Sequence, residues 1–195
     1  MNRKHPNETE PMDWQNRMIT VPNMLSLFRL CLIPLFMWLY GNSKNSVMAG
    51  CVLILSGLTD VVDGAIARRF HMISNLGKVL DPIADKATQA VVLFCLLPDY
   101  PHMLFPFVLL IIKEMSDGIT GYLVIRKTGQ VLGAGWHGKV GTILIYFMMI
   151  VHVIWREIPG NVSGWFAVAC SGMTLISLVL YGRRNLKLIS GGPCK

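Results

Sequence analysis

Four aspartates at helical intervals, Asp60, Asp63, Asp81 and Asp85, stand in a stretch otherwise apolar enough to cross a bilayer. Spacings of three and four return residues to one helix face, so Asp60 with Asp63 and Asp81 with Asp85 form two short acidic stripes. Carboxylates gathered at low dielectric repel one another and lose hydration, and two divalent cations would balance the four charges. Carboxylate oxygens suit hard ions such as Mg²⁺ or Mn²⁺, which hold substrate phosphates at the same time. The chemistry this predicts is a two-metal phosphoryl site, in which the ions stabilise the attacking and leaving oxygens. Gly64 and Ala67 lie on or beside the face of Asp60 and Asp63, where their lack of bulk makes a pocket floor; Gly77 does the same on the partner helix. Arg68, at the polar end of its helix, is placed to bind a phosphate oxygen through its forked donors.

The elements that must position these residues are apolar helices. Of 195 residues, 53% are hydrophobic and 15% charged, with mean hydropathy +0.50, against about 25% charged in an ordinary soluble domain. This composition predicts an all-α integral membrane protein. Six runs near the roughly 20 residues that span hydrocarbon fall at 24–40, 47–67, 79–97, 103–125, 137–155 and 162–181. The expected organisation is a polar, interfacial segment over 1–21, a six-helix transmembrane catalytic domain over 22–185 and a cytoplasmic tail over 186–195. Pro22 opens the first helix, Gly41 to Asn45 read as a turn, and Pro82 falls inside the third helix. The second helix is expected to run on past the bilayer core, the third to begin near Ser74, so the acidic stripes meet near one membrane surface.

The basic residues choose that surface. Arg3, Lys4, Arg17, Arg68, Arg69, Lys78, Arg126, Lys127, Arg183, Arg184, Lys187 and Lys195 fall on the side of both termini, with only Lys44 and Arg156 opposite. Positive loops stay cytoplasmic, which places both termini and the site on the cytoplasmic face of the cell membrane. Net charge +7 suits anionic lipid and phosphorylated substrates; no recognition motif for nucleic acid accompanies it. The first 21 residues lack the pattern of a cleaved secretory leader. Cys31, Cys51, Cys95 and Cys170 lie in the apolar runs and Cys194 at the tail, with neither a disulfide framework nor a zinc spacing, so they read as packing residues.

The segment Asp60 to Asp85, D-x2-D-G-x2-A-R-x8-G-x3-D-x3-D, resembles the signature of the CDP-alcohol phosphatidyltransferases, integral-membrane enzymes of phospholipid synthesis, at every fixed position. Ile19 to Arg29 is similar to the opening of bacterial phosphatidylglycerophosphate synthases and the related cardiolipin synthases. The resemblance implies transfer of a phosphatidyl group from CDP-diacylglycerol to an alcohol, with release of CMP. It assigns Asp60, Asp63 and Asp81 to the metals and makes Asp85 both metal-associated and the general base. Gly64, Ala67, Arg68 and Gly77 would hold the CDP portion, with Ser74 as an added contact and Asn23 or Ser26 as a weaker one. Members of the family are commonly homodimers.

Glycerol 3-phosphate as acceptor would bring a phosphate dianion, for which Lys113, Arg126, Lys127 and Lys139 are the candidate partners. Lys113-Glu114 resembles an Arg-Glu pair of phosphatidylglycerophosphate synthases with Lys in place of Arg. Trp136 to Thr142 resembles their Gly-Lys-x-Lys-Thr motif, with Gly141 where the second Lys is usual. Cardiolipin synthases, which take phosphatidylglycerol, are the alternative. A transporter explains intramembrane carboxylates but not the adjoining Gly, Ala and Arg spacing. Lys113 and Asp117 have the spacing of a helix ion pair, and His137 and His152, without a second ligand at metal spacing, read as packing residues. Arg183, Arg184 and Lys187 read as anchors of the last span.

Overall fold

A largely apolar run makes the first helix, α1 (Val21–Gly41), and Pro22 fits its first turn because the missing N–H has no partner to lose there; Pro34 lies inside it. The computed structural model describes residues 21–42, 45–70, 77–128 and 135–189, apart from the side chains of a few positions within the helices. Helix α2 (Ser46–Phe70) is capped by Asn45, whose Oδ1 accepts the Met48 N–H at 3.3 Å. Helix α3 (Gly77–Leu96) carries Pro82 inside it, and a 3₁₀ turn (Pro101–Met103) leads into α4 (Leu104–Thr128). Helices α5 (Trp136–Ile154) and α6 (Gly160–Ile189) complete the chain, and the described residues contain no strand.

Each predicted apolar run thus lies on a helix, and α6 runs to Ile189, past position 185. Three stretches are long and apolar enough to cross a membrane: Asn23–Gly41, Trp136–Ile154 and Gly160–Leu188, with a shorter one at Ser46–Val62. The apolar stretches of α3 and α4 are interrupted by Asp81, Asp85 and Lys86 and by Lys113, Glu114 and Asp117, while the helices themselves run on unbroken. The expected interfacial segment before residue 21 and the end of the tail lie outside the described residues.

Helix α1 packs on both α2 and α3, α4 lies along α6, and α5 bridges α6 to α2 and α3. Among the described residues, α2 and α3 meet through α1 more than through each other. Glycines permit two close approaches: a Cβ on Gly50 would stand 2.6 Å from Ile154 Cγ1, and one on Gly138 2.6 Å from the Tyr181 hydroxyl. Small residues let helix backbones approach in this way.

The bundle has two unlike halves. Phe36, Leu39, Leu53, Leu93, Leu96, Met103, Met148, Met149 and Val153 fill one half with buried apolar side chains. Polar ties close its end. Tyr40 donates to Asp99 Oδ2 (2.7 Å), Arg156 donates to the Tyr40 carbonyl (2.9 Å), and Tyr100 donates to the Arg156 carbonyl (2.7 Å). Burial, with the Asp99 carboxylate alongside, pushes the Tyr100 phenol above its ordinary pKa, which keeps it a donor. His152 is fully buried; its Nδ1 donates to the Met148 carbonyl (2.8 Å) and its Nε2 meets Ser163 Oγ (2.7 Å), consistent with a packing role. The other half buries Asn23, Ser26, Arg29, Gln89, Thr174, Ser177 and Asn185.

Candidate active site

Polar residues at every third position of α1 organise the acidic constellation. Asn23, Ser26 and Arg29 share one helix face and are buried. Arg29 Nη1 lies 2.6 Å from Asp60 Oδ1 on α2, and Ser26 Oγ donates to Asp81 Oδ1 on α3. Helix α1 is therefore the common floor on which the two acidic helices are set. Asp85 is held at both oxygens: the Tyr146 hydroxyl of α5 donates to Oδ1 (2.8 Å), and Gln89 Nε2 donates to Oδ2 (3.0 Å). Lys86 Nζ stands 3.5 Å from the same Oδ2. Asp60 lies within electrostatic reach of Asp81 and Asp85.

Gly64 is partly exposed and Gly77 buried. Asp63, Ala67 and Arg68 fall on α2, with side chains outside the described residues, as is all of Ser74. The donor set suits a hard divalent ion in kind, since Asp60, Asp81 and Asp85 present carboxylate oxygens that keep lone pairs beyond the bonds named above. Among the described residues, no three acidic, imidazole or thiol groups converge as a ligand cluster. The buried Arg29 guanidinium supplies a countercharge that spacing alone did not identify.

Beside Asp60 opens a cleft of about 660 Å³ between α4, α5 and α6, with Lys113, Lys139, Tyr181, Arg184 and Asn185 in its walls. Lys113 is already matched by carboxylates, lying 2.8 Å from Glu114 and 3.0 Å from Asp117, and Lys86 reaches Glu114 at 3.3 Å. The predicted Lys113–Asp117 pair is present. Lys139 is exposed at the cleft wall, whereas Arg126 and Lys127 are exposed on α4 and are not among the lining residues. Arg184, expected only as an anchor, turns into the cleft with its guanidinium carbon 4.9 Å from the centre of the Tyr181 ring. Tyr181 is fixed in turn by the Gly135 N–H, which donates to its hydroxyl at 2.6 Å, and by His137, whose ring packs edge-on at 4.5 Å.

The sequence of this chain matches the family model for CDP-alcohol phosphatidyltransferase over residues 19–176. The chain belongs to that family. The match takes in α1 to α5 and the first part of α6, and stops short of Tyr181, Arg184 and Asn185. A cardiolipin synthase (CMP-forming) of Streptomyces coelicolor is 46% identical over 76 residues, covering 36% of this chain and 35% of that protein. A probable phosphatidylglycerophosphate synthase of Mycobacterium tuberculosis is 30% identical over 192 residues, covering 94% and 90%. A Bacillus subtilis protein named CDP-diacylglycerol--glycerol-3-phosphate 3-phosphatidyltransferase is 34% identical over 140 residues, covering 64% and 72%. The chain thus spans about a third of the length of the Streptomyces cardiolipin synthase and nearly all of the mycobacterial phosphatidylglycerophosphate synthase. As a class, the CDP-alcohol phosphatidyltransferases depend on divalent metal.

Proposed function

We propose that this protein transfers the phosphatidyl group of CDP-diacylglycerol to glycerol 3-phosphate, giving phosphatidylglycerophosphate and CMP. The observation that carries the reading is the intact D-x2-D-G-x2-A-R-x8-G-x3-D-x3-D signature on α2 and α3, lying beside a cleft with basic side chains in its wall. In this reading Asp60, Asp63, Asp81 and Asp85 hold two Mg²⁺ or Mn²⁺ ions. When bound, the ions screen the diphosphate and stabilise charge on the entering and leaving oxygens. Gly64, Ala67 and Gly77 leave room for the CDP portion, Arg68 binds its phosphate, and Asn23 and Ser74 border it.

Asp85 takes the proton of the acceptor hydroxyl at a carboxylate oxygen as the hydroxyl oxygen attacks the β-phosphorus of CDP-diacylglycerol. The bond from that phosphorus to the bridging oxygen breaks, and CMP leaves. Tyr146 and Gln89 fix the direction of the Asp85 oxygens, and holding a base in register with its proton is a large part of what such a site contributes. Lys139 and Arg184 face the phosphate of the acceptor. The enzyme is read as six transmembrane helices with the termini and the site at the cytoplasmic face of the cell membrane, where charged substrates are available.

Cardiolipin synthesis is the second reading, favoured by the Streptomyces coelicolor match and by Lys113 and Gly141 at positions where the phosphatidylglycerophosphate synthase motifs carry Arg and Lys. Purified protein supplied with CDP-diacylglycerol, Mg²⁺ or Mn²⁺, and either glycerol 3-phosphate or phosphatidylglycerol decides between them. Phosphatidylglycerophosphate with CMP is the expected product pair. Cardiolipin would replace this reading with the second, and absence of metal-dependent CMP release with either acceptor would refute both.

A further inference from the structure

Next to the cleft, and sharing Gly138, Thr142 and the mutually paired Lys86, Lys113 and Glu114 with it, lies a small pocket lined by α3, α4, α5 and α6. Its volume is about 10 Å³, room for a single oxygen-sized group. Three of its lining residues, Gln89, Thr174 and Ser177, are almost fully buried, at 0%, 2% and 1% exposure. Gln89 Oε1, Thr174 Oγ1 and Ser177 Oγ each lack a hydrogen-bond partner. Buried polar atoms are nearly always bonded, and an unmet one costs about 1–3 kcal/mol, so three lining one pocket mark a place where a polar guest, a water or a ligand group, belongs.

The chemistry of the ligand follows from the donors. Gln89 Nε2 donates to Asp85, which turns its carbonyl Oε1 away as a pure acceptor. The Thr174 and Ser177 hydroxyls can donate. An oxygen that donates once and accepts in return fits, either a hydroxyl of the substrate or the water it would displace. The pocket also depends on Gly141, which lines it. A Cβ there would stand 3.8 Å from Ser177 Oγ and from Met173 Cγ, so a longer side chain would fill the space.

We infer that Gln89, Thr174 and Ser177 form a hydroxyl subsite that reads the second hydroxyl of a glycerol unit in the acceptor, adjacent to the hydroxyl delivered to Asp85. The single Gln89 amide touches both positions, with its nitrogen on Asp85 and its oxygen at the pocket. The inference rests on the reading of Asp85 as base, but not on which acceptor is used. Glycerol 3-phosphate and the headgroup of phosphatidylglycerol both present a phosphoryl-glycerol with adjacent hydroxyls.

The test compares each acceptor with its deoxy analogue, using the purified full chain with CDP-diacylglycerol and Mg²⁺ or Mn²⁺. 3-Hydroxypropyl phosphate is set against glycerol 3-phosphate, and phosphatidyl-propanediol, lacking the central hydroxyl, against phosphatidylglycerol. The wild-type enzyme should prefer the intact acceptor by about tenfold or more in kcat/KM. The Thr174→Val/Ser177→Ala variant should lose that preference, through a fall in kcat/KM for the intact acceptor, while Thr174→Ser retains it. Equal use of intact and deoxy acceptors by the wild type overturns the subsite without needing any variant to fold. So does an undiminished preference in the double variant, which would leave only an ordered water in the pocket. No CMP release with any acceptor would sink the transfer reading and the subsite together, whereas CMP release without preference sinks the subsite alone.

Discussion

Asp85 accepts hydrogen bonds from neutral donors at both oxygens, Tyr146 and Gln89, with the Lys86 ammonium farther off at 3.5 Å from Oδ2, where Asp60 is tied by the Arg29 guanidinium at 2.6 Å. A base must keep its proton-accepting lone pair aimed, and bonds from neutral donors aim it while the nearest cation stays at the longer distance. Replacing Asp85 by Asn changes little volume, so the variant should fold and lose about 10²–10⁴ in kcat; wild-type-like CMP release by the purified variant would remove Asp85 from the role. Tyr146→Phe should lower kcat about tenfold while the KM for CDP-diacylglycerol stays put, the signature of a positioning residue that makes no contact with that substrate. Lys139→Ala should raise the KM for glycerol 3-phosphate about tenfold. If the KM for CDP-diacylglycerol rose equally, Lys139 would not be an acceptor ligand. The aspartates were legible because i, i+3 and i, i+4 spacing is a local signal. Arg29, Tyr146, Gln89 and Arg184 were not assigned, since their partners lie across helix contacts that no local spacing encodes. The resemblance already brings Asn23 and Ser26 of α1 to the site, and the three-residue rhythm that continues to Arg29, polar in an apolar run, is the signal that could have added Arg29 to them.

The helices themselves follow from hydropathy, and their limits agree with it to within a few residues except at the end of α6. There Arg183, Arg184, Leu186 and Lys187 are strong helix formers with no glycine or proline before Gly191, so the helix continues beyond its apolar stretch. What hydropathy does not carry is which helix touches which. The acidic helices are neighbours by way of α1, and that arrangement makes Arg29 a clamp as well as a countercharge. Arg29→Met should therefore loosen α1 from α2, at a cost of up to about 3 kcal/mol, the low end for a broken buried pair because the Asp60 side chain is 43% exposed. Thermal unfolding in detergent would measure it, and an unchanged midpoint would reduce Arg29 to a bystander. The α5–α6 contact rests on Gly138, where even a methyl group collides with the Tyr181 hydroxyl.

Taken whole, the molecule is polarised along its length, with an apolar block at one end and the carboxylates, cations and buried hydroxyls at the other. The apolar block contains Leu53, Leu93, Met148, Met149 and Val153, side chains that offer an ion no replacement for its hydration shell. On the proposed reading, in which the bundle spans the membrane and the aspartates carry the chemistry, this block closes the bundle behind the ionic groups, so a site built on charge need not open a path for ions from one face to the other.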